Sequence, residues 1–562
     1  MGPTIPFSEQ MHAEKYRGEG ESFREAMNRV ASALSEGEEH YHTVRDILFD
    51  MKFLPGGRIQ AAVGSTKAVT PFNCYVSGTI EDSFVGGHGS IMDRAKEAAT
   101  TMRMGGGIGY DFSTLRPRGD AIKKLQSTSS GAVSFMQIFD AICRCVSSSG
   151  HRRGAQMGVM RIDHPDIEEF IRAKQNSGNL TGFNMSVAVT DEFMEALLDD
   201  RKFALKWNDH IYRWISPSLL WENLMRSTWD WGEPGVIFID TVNTMNNLNY
   251  CEKIAATNPC GEQPLPPHGA CLLGSFNLVK YLEGSRNKRF NFHKFKEDVY
   301  PIVRAMDNVI DLASYPLPQQ QTEALNKRRM GLGITGLANT GEACGFEYGS
   351  PRFLDFTRAI LIALRDEAYM ASTRLSEEKG SFPLYNEYYL NSKYIRTLPK
   401  RVIDAIRKHG IRNSHLISIA PTGTISLTAD NVSSSIEPVF AYEFTRTVHT
   451  LGGVVNEKVQ DYGVRELGHS GKTAKDVTID EHLAVLSVVA PLVDSAVSKT
   501  CNVPLDTEWE DFKSVYVKAW QSGCKGCTTF TTGGKRVGVL VEEEGEGSTC
   551  YIDLETGRHE CE

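Results

Sequence analysis

The 562-residue sequence is short of several things, and each shortage excludes a class. No apolar run reaches the roughly 18 residues a membrane-spanning helix needs. The opening stretch MGPTIPFSEQMHAEKYRGEGES carries no apolar core of the signal-peptide kind. Positive charge is in deficit, with 61 Lys and Arg against 70 Asp and Glu for a net charge of −9. A broad electrostatic nucleic-acid binder is therefore not expected, although a local basic pocket for phosphate remains open. Twelve cysteines are too few and too scattered for a secreted disulfide scaffold. No fixed-period repeat appears, and no Pro/Ser-rich linker divides the middle of the chain. What is present, 41% hydrophobic and 9% aromatic residues, suffices for a large buried core. The expectation is a soluble, cytoplasmic protein with no nucleic-acid or membrane partner.

Residues 1–50 carry helix-favouring charged stretches such as SFREAMNRVASALSEGE and read as a short helical lead-in. From 51 to 520, strand-length apolar runs (FNMSVAVT, GVIFID, HLISIAP) alternate with helical stretches such as FTRAILIALRDEAYMAS. That alternation predicts an α/β architecture with a largely parallel sheet in one large domain. Residues 521–562 change texture, with an acidic Gly-rich EEEGEGS leading into a Cys-bearing flexible tail. Cys143, Cys145, Cys344 and Cys501 lie in apolar or mixed stretches and are expected to be buried, as isolated thiols usually are.

Several segments can carry chemistry. In TNPCGEQPL, the turn-forming Asn258-Pro259 precedes Cys260, Gly261 and Glu262, so the thiol projects from a loop with a carboxylate two residues away and an amide to orient a substrate. The plainer alternative is a turn with a buried cysteine and a surface glutamate. Cys271 follows in GACLLGSFNL, and Cys74 lies far upstream in PFNCYVSGTIEDSF; as a dithiol they can deliver two electrons by forming a disulfide, if the fold brings them together. In IAPTGTIS, an apolar run ends in Pro421, Thr422, Gly423, Thr424 and Ser426 at the start of a helix, either an anion site or an ordinary cap. MGGGIGYDFSTLRPRGD permits close backbone approach at Gly105, Gly106, Gly107 and Gly109 but does not fit the dinucleotide fingerprint. SSSGHRRGAQMGV, with Arg152 and Arg153, suits a mobile loop handling a phosphate or base, or a solvated basic turn.

Taken together and in order, NCYVSGTIEDS, GGGIGYDFSTLRPRGD, NMSVAVTDEFM, NPCGEQPL, ACLLGSFNL, RRMGLGITGLA and APTGTIS resemble the catalytic subunit of ribonucleotide reductases across residues 51 to about 540. The likeness is greatest to the adenosylcobalamin-dependent class II enzymes. This resemblance implies a ten-stranded α/β barrel of two antiparallel five-stranded parallel halves, with Cys260 on a finger loop at its centre. It implies a thiyl radical at Cys260 that abstracts the 3′-hydrogen, Glu262 as acceptor of the 3′-hydroxyl proton, and Asn258 on the sugar hydroxyls. Cys74 and Cys271 would reduce C2′ and end as a disulfide. Substrate phosphate would sit on Thr422, Gly423, Thr424 and Ser426, and a deoxynucleotide effector at Asp82 and Ser83, with Arg153 in the loop that relays its identity.

The radical source follows from the same resemblance. Class I subunits receive the radical through two adjacent tyrosines near the end of the barrel, where this chain has Thr529 and Phe530; Tyr388-Tyr389 lies in a different region. The Arg-Val-x-Gly-Tyr-like segment of class III is not present near the end of the sequence, which leaves adenosylcobalamin. A D-x-H-x-x-G cobalamin box is not found either, and class II enzymes are not expected to use one. The alternatives are a class I-type subunit needing a radical-generating partner, or a non-catalytic nucleotide-binding homologue. The lead-in is short for an ATP-cone, so activity control by ATP and dATP is not expected. A homodimer is expected. In the tail, Cys550 and Cys561 would be a shuttle dithiol reduced by a thioredoxin-like partner; alternatively Cys524 and Cys527 would join them in a zinc site, with His559 as a further ligand.

Overall fold

The computed structural model describes residues 2–531 except 124, 149–151, 154, 176–177, 286–287, 451–452, 470 and 505, and beyond 531 the backbone of Cys550–Asp553 and Arg558–Cys561. The side chains of 147–148, 152–153, 446–450 and 453–457 also lie outside the description.

The strand-length runs form an eight-stranded sheet in the order Ala270–Cys271, Cys74–Val76, Gly107–Asp111, Gln156–Arg161, Phe183–Val189, Gly235–Phe238, Gly526–Thr531, Thr500–Val503. Neighbours are parallel throughout except at two joints, Ala270–Cys271 against Cys74–Val76 and Gly235–Phe238 against Gly526–Thr531. A second sheet orders Phe53–Pro55, Leu273–Asn277 and Gly331–Thr335. Leu273–Asn277 follows Ala270–Cys271 almost directly in the chain. Leu273–Asn277 and Gly331–Thr335 are buried at every position, which is why they read as continuous apolar runs rather than alternating ones. HLISIAP is extended and meets its neighbours in isolated bridges, Leu332 to Ile417 and Ile419 to Val497.

Helices cover the sheets. Their starts are written in the sequence as reciprocal caps, Ser22 with Glu25, Ser90 with Asp93 and Thr478 with Glu481. The longest, Pro351–Lys379, opens with Ser350 accepting from Phe353 N and stops at Gly380. Two large apolar cores lie on the helical sides, one around Phe276, Ile334 and Leu364 and one around Phe112, Phe183 and Tyr516. A third, small core gathers Val76, Val159, Ala188, Ile237, Ala256 and Leu265 with Cys74 and Cys271. The lead-in helices Pro6–Tyr16, Phe23–Leu34 and Glu38–Phe49 pack onto the rest through Tyr16, Val30, Leu34 and Ile47, which share the core of Phe53 and Phe276. Among the described residues no helix is long and apolar enough to cross a membrane.

Candidate active site

Ala256–Thr257 pairs with Pro264–Leu265 as an antiparallel hairpin, so residues 258–263 form its tip. The tip closes on itself: Gly261 N donates to Asn258 O at 3.1 Å, Asn258 N to Gln263 O at 3.1 Å, and Gln263 N to Asn258 Oδ1 at 3.0 Å. Gly261 turns the chain at φ +80°, a left-handed conformation that suits glycine. The carbonyl of Pro259 is held by Asn184 Nδ2 at 3.0 Å. The carbonyl of Glu262 takes two donors, Ser418 Oγ and Ala496 N, each at 2.9 Å.

Glycine on the neighbouring strands makes room for this hairpin. A side chain starting at Gly109 would lie 1.8 Å from Thr257 O, and one at Gly107 would lie 3.1 Å from both Cys74 Sγ and Pro259 Cγ. The glycine-rich segment thus serves close backbone approach, to the hairpin rather than to a nucleotide.

The exposure pattern at the tip is the reverse of the plain turn. Cys260 is exposed, while Glu262 is 2% exposed. Burial pushes the Glu262 carboxyl up to about 7, and the nearby Asn258 side chain offsets this only in part. Glu262 Oε2 and Asn258 Nδ2 are both buried and without a hydrogen-bond partner, one an acceptor and the other a donor. Cys74 and Cys271 are register partners across the antiparallel joint, both buried and neither in a disulfide. Directly opposed antiparallel residues have Cα atoms about 4.5–5.5 Å apart, within disulfide reach. Burial raises the Cys271 thiol pKa well above its usual value, and the negative charge of Glu262, Cys74 and Cys260 adds to it, so all four groups share one neighbourhood.

The IAPTGTIS loop turns at Thr422, which has φ +52° and caps the short helix Gly423–Thr428. Its Oγ1 pairs with Thr335 Oγ1 at 3.0 Å and accepts from Ser435 N at 2.7 Å. Ser426 Oγ pairs with Ser434 Oγ at 3.0 Å, Gly423 faces open space and Thr424 is half-buried. The serine run 433–435 therefore belongs with this loop, although sequence reasoning missed it; the signal was three consecutive serines after a turn-favouring Asp430-Asn431. Ser435 Oγ is buried without a partner.

The other predicted residues lie apart from the tip's hydrogen-bond network. Asp82 accepts from Arg116 N at 3.1 Å and Arg116 Nε at 2.8 Å, and Ser83 Oγ donates to Val85 O. The backbone of Arg152–Arg153 pairs with Ser147–Ser148, while the Arg153 side chain lies outside the described residues. Thr529 is buried and pairs with the Tyr516 hydroxyl at 2.8 Å; Tyr389 is buried and donates to Ser414 O, and Tyr388 is exposed. Cys524 and Cys527 are buried in the core of Phe112 and Tyr516, and burial pushes the Cys524 thiol up to about 12. Among the described residues no group of three or more metal-ligating side chains is assembled. Cys550 and Cys561 are register partners in an antiparallel pair, with side chains outside the description. Of the four cysteines expected to be buried, Cys143 and Cys501 are, Cys344 is partly so, and Cys145 is exposed at the end of the helix Ala132–Cys145.

Residues 72–530 match the family described as ribonucleotide reductase, barrel domain. The chain belongs to the ribonucleotide reductase family. It is 33% identical over 94% of its length, and 78% of the relative's, to a vitamin B12-dependent ribonucleoside-diphosphate reductase of Mycobacterium tuberculosis. It is 32% identical, over 92% of its length and 69% of the relative's, to the protein of the same description from Thermoplasma acidophilum. A vitamin B12-dependent ribonucleotide reductase of Rhodopirellula baltica matches at 27% over 79% of the chain and 51% of that protein. The hairpin, the cysteine register pair and the threonine-glycine loop all fall inside the reductase barrel match.

Proposed function

We propose that this chain reduces ribonucleotides to 2′-deoxyribonucleotides by thiyl-radical chemistry at Cys260, with adenosylcobalamin as the radical source. The carrying observation is the meeting of Cys260, Glu262, Cys74 and Cys271 around one hairpin tip. Cys260 is exposed, and beside it a side chain at Gly261 would meet nothing within 4 Å among the described residues beyond its chain neighbours, which leaves room for a bulky cofactor. When bound, the cofactor supplies the one-electron chemistry that converts a thiol to a thiyl. The printed names of the Mycobacterium tuberculosis and Thermoplasma acidophilum relatives, both ribonucleoside-diphosphate reductases, point to diphosphate substrates.

The residues divide the work so that atoms and electrons balance. The Cys260 thiyl takes the 3′-hydrogen, forming S–H and leaving a radical at C3′, while Glu262 takes the 3′-hydroxyl proton. The amide of Asn258 orients the sugar hydroxyls through its unpartnered Nδ2. The 2′-hydroxyl leaves as water, and Cys74 and Cys271 supply two electrons and two protons, closing as a disulfide. Cys260 returns its hydrogen to C3′ as Glu262 returns the proton to the 3′-oxygen, which restores the thiyl and the carboxylate. Substrate phosphate rests on Thr422, Gly423, Thr424 and Ser426, where Gly423 is open to a ligand.

The finer fold reading is a closed ten-stranded barrel. It is supported by the two antiparallel joints, by the continuity of Ala270–Cys271 into Leu273–Asn277, and by the bridges Leu332–Ile417 and Ile419–Val497 that lead back towards Thr500–Val503. The barrel domain spans 51–520, with the lead-in before it and the tail after it. A deoxynucleotide effector sits at Asp82, Ser83 and Arg153, with Asp82 pre-oriented by Arg116. The Cys550–Cys561 register, the same as that of Cys74 and Cys271, supports a tail dithiol that a thioredoxin-like reductant recharges. The functional unit is a homodimer.

Anaerobic incubation with CDP or CTP, mixed deoxynucleotide effectors and dithiothreitol, with and without adenosylcobalamin, tests this. Turnover strictly dependent on the cofactor is expected. Turnover only on adding a radical-generating second protein, or none at all despite nucleotide binding, would overturn it.

A further inference from the structure

Glu262 is anchored through its backbone carbonyl, while its carboxylate has the Asn258 side chain beside it. Its Oε2 has no hydrogen-bond partner, whereas its carbonyl oxygen accepts from both Ser418 Oγ and Ala496 N at 2.9 Å. The two donors sit on segments 415–419 and 493–498, which are laced together. Ser495 N donates to Ile417 O at 3.1 Å, Ile419 N to Ala496 O at 3.1 Å and Ser498 N to Ile419 O at 2.8 Å.

One buried carboxylate sets the register of both segments. Asp494 is 2% exposed; its Oδ2 accepts from Leu416 N and the Tyr369 hydroxyl, each at 2.7 Å, and its Oδ1 accepts from Ile417 N at 3.0 Å. Beneath it, the Lys525 ammonium donates to Val493 O at 3.0 Å, Asp494 O at 2.7 Å and Ser495 O. Burial pulls the Lys525 pKa down to about 8, so it remains mostly charged at neutral pH, and Asp494 opposes the downward pull. Three carbonyls on one buried ammonium satisfy all three of its protons.

The consequence is a chain of rigid contacts from Lys525 and Asp494 through two laced segments to a single carbonyl oxygen at the hairpin tip. Packing reinforces it, because a side chain at Gly331 would lie 2.6 Å from Ser418 Cβ and one at Gly333 would lie 2.6 Å from Ser418 O. Ser418 therefore has little room to move. None of these residues touches the reacting atoms in the proposed chemistry.

We propose that Ser418 is a positioning residue that fixes where Glu262 presents its carboxylate, with Asp494 and Lys525 as the hub that places Ser418. The proposal rests on the reading of Glu262 as proton acceptor. Misplacement of a catalytic group by about 1 Å costs up to roughly 100-fold in rate, so loss of one of two anchors is expected to cost about tenfold.

The test uses the full-length protein with its cofactor and effector. Ser418→Ala deletes one oxygen and leaves the Ala496 anchor in place. The expected result is kcat lowered about tenfold, with nucleotide KM and Tm within experimental spread of the parent, because substrate binding does not run through the carbonyl clamp. Asp494→Asn is expected to lower kcat further, and the double variant to fall no lower than Asp494→Asn alone, since both act through one path. Unchanged kcat in Ser418→Ala overturns the proposal, as does a loss of Tm that accounts for the whole effect or strict additivity in the double variant. A parent protein that makes no deoxynucleotide overturns the reading of Glu262 instead, and the two failures are distinct.

Discussion

Two buried cysteine pairs lie on adjacent strands of one sheet and differ in register and surroundings. Cys74 and Cys271 face each other across an antiparallel joint, in the small inner core, beside the hairpin that carries Cys260 and Glu262. Cys501 and Cys527 lie on parallel neighbours in the outer core with Cys524. The Cys527 thiol hydrogen-bonds Cys501, which holds Cys501 below its usual pKa with help from Lys499, and leaves Cys527 well above. The second pair is the one with an electrostatic push towards thiolate, while the first lies beside the exposed Cys260 and the partnerless Glu262 Oε2. On the proposed chemistry, an exposed thiol and a partnerless carboxylate beside the pair are better guides to redox function than thiol proximity.

The largest effect that sharpens this contrast is loss of the inner site. Cys260→Ala and Cys271→Ser are each expected to lower deoxynucleotide formation by more than about 1,000-fold, while Cys501→Ala stays within about twofold. Steady-state product assays check this, and comparable losses in all three variants would erase the distinction. Next comes Glu262→Gln, expected to cost about 100- to 10,000-fold as removal of a general base.

The pH profile carries the same information. A base must be ionised to act, so kcat/KM of the parent should rise with pH through about 7, the Glu262 value. The stability sign is opposite. The folded pKa lies above the ordinary 4.5, so folding binds the proton more tightly, and this contribution is present below about 4.5 and fades as pH rises through about 7. Glu262→Gln should therefore gain stability relative to the parent towards pH 8, by about 3 kcal/mol at most, readable as a pH-dependent difference in denaturant midpoint. A flat difference across pH 4 to 8 would contradict the buried-acid account.

A smaller effect is expected at Gly107. Alanine there presses on both Cys74 Sγ and Pro259 Cγ from 3.1 Å, and about a tenfold fall in turnover should follow without change at Cys501 and Cys527. The smallest effect belongs to Cys527→Ala, a loss of about 1–2 kcal/mol in unfolding free energy with turnover retained.

How much of this was legible in the sequence depends on distance along the chain. The hairpin tip was, because Asn258-Pro259 and Gly261 are local turn signals flanking a thiol and a carboxylate. So were strands such as Phe183–Val189 and Gly235–Phe238, whose apolar runs are short and bounded, and the helix around 356–372. Burial at the tip was not. The 2% exposure of Glu262 comes from the segments around Ser418 and Ala496, more than 150 residues away, and no local pattern encodes it. The pairing of Asp82 with Arg116 and the Asp494–Lys525 hub are hidden for the same reason: common residue types become a network only when non-adjacent strands meet. The exposure of Cys145 went the other way, because the end of an amphipathic helix can turn one face outward within two residues of buried Cys143.

On the proposed chemistry the Cys74–Cys271 pair supplies the electrons. The most direct test is a single anaerobic turnover without external reductant. The protein would carry Cys550→Ser and Cys561→Ser, with adenosylcobalamin, an effector and substrate added, followed by peptide mapping of disulfides. One deoxynucleotide per chain with one new disulfide joining Cys74 to Cys271, and Cys501 and Cys527 still reduced, is the predicted result. Product formed without that disulfide, or with a disulfide between Cys501 and Cys527 in its place, would contradict it.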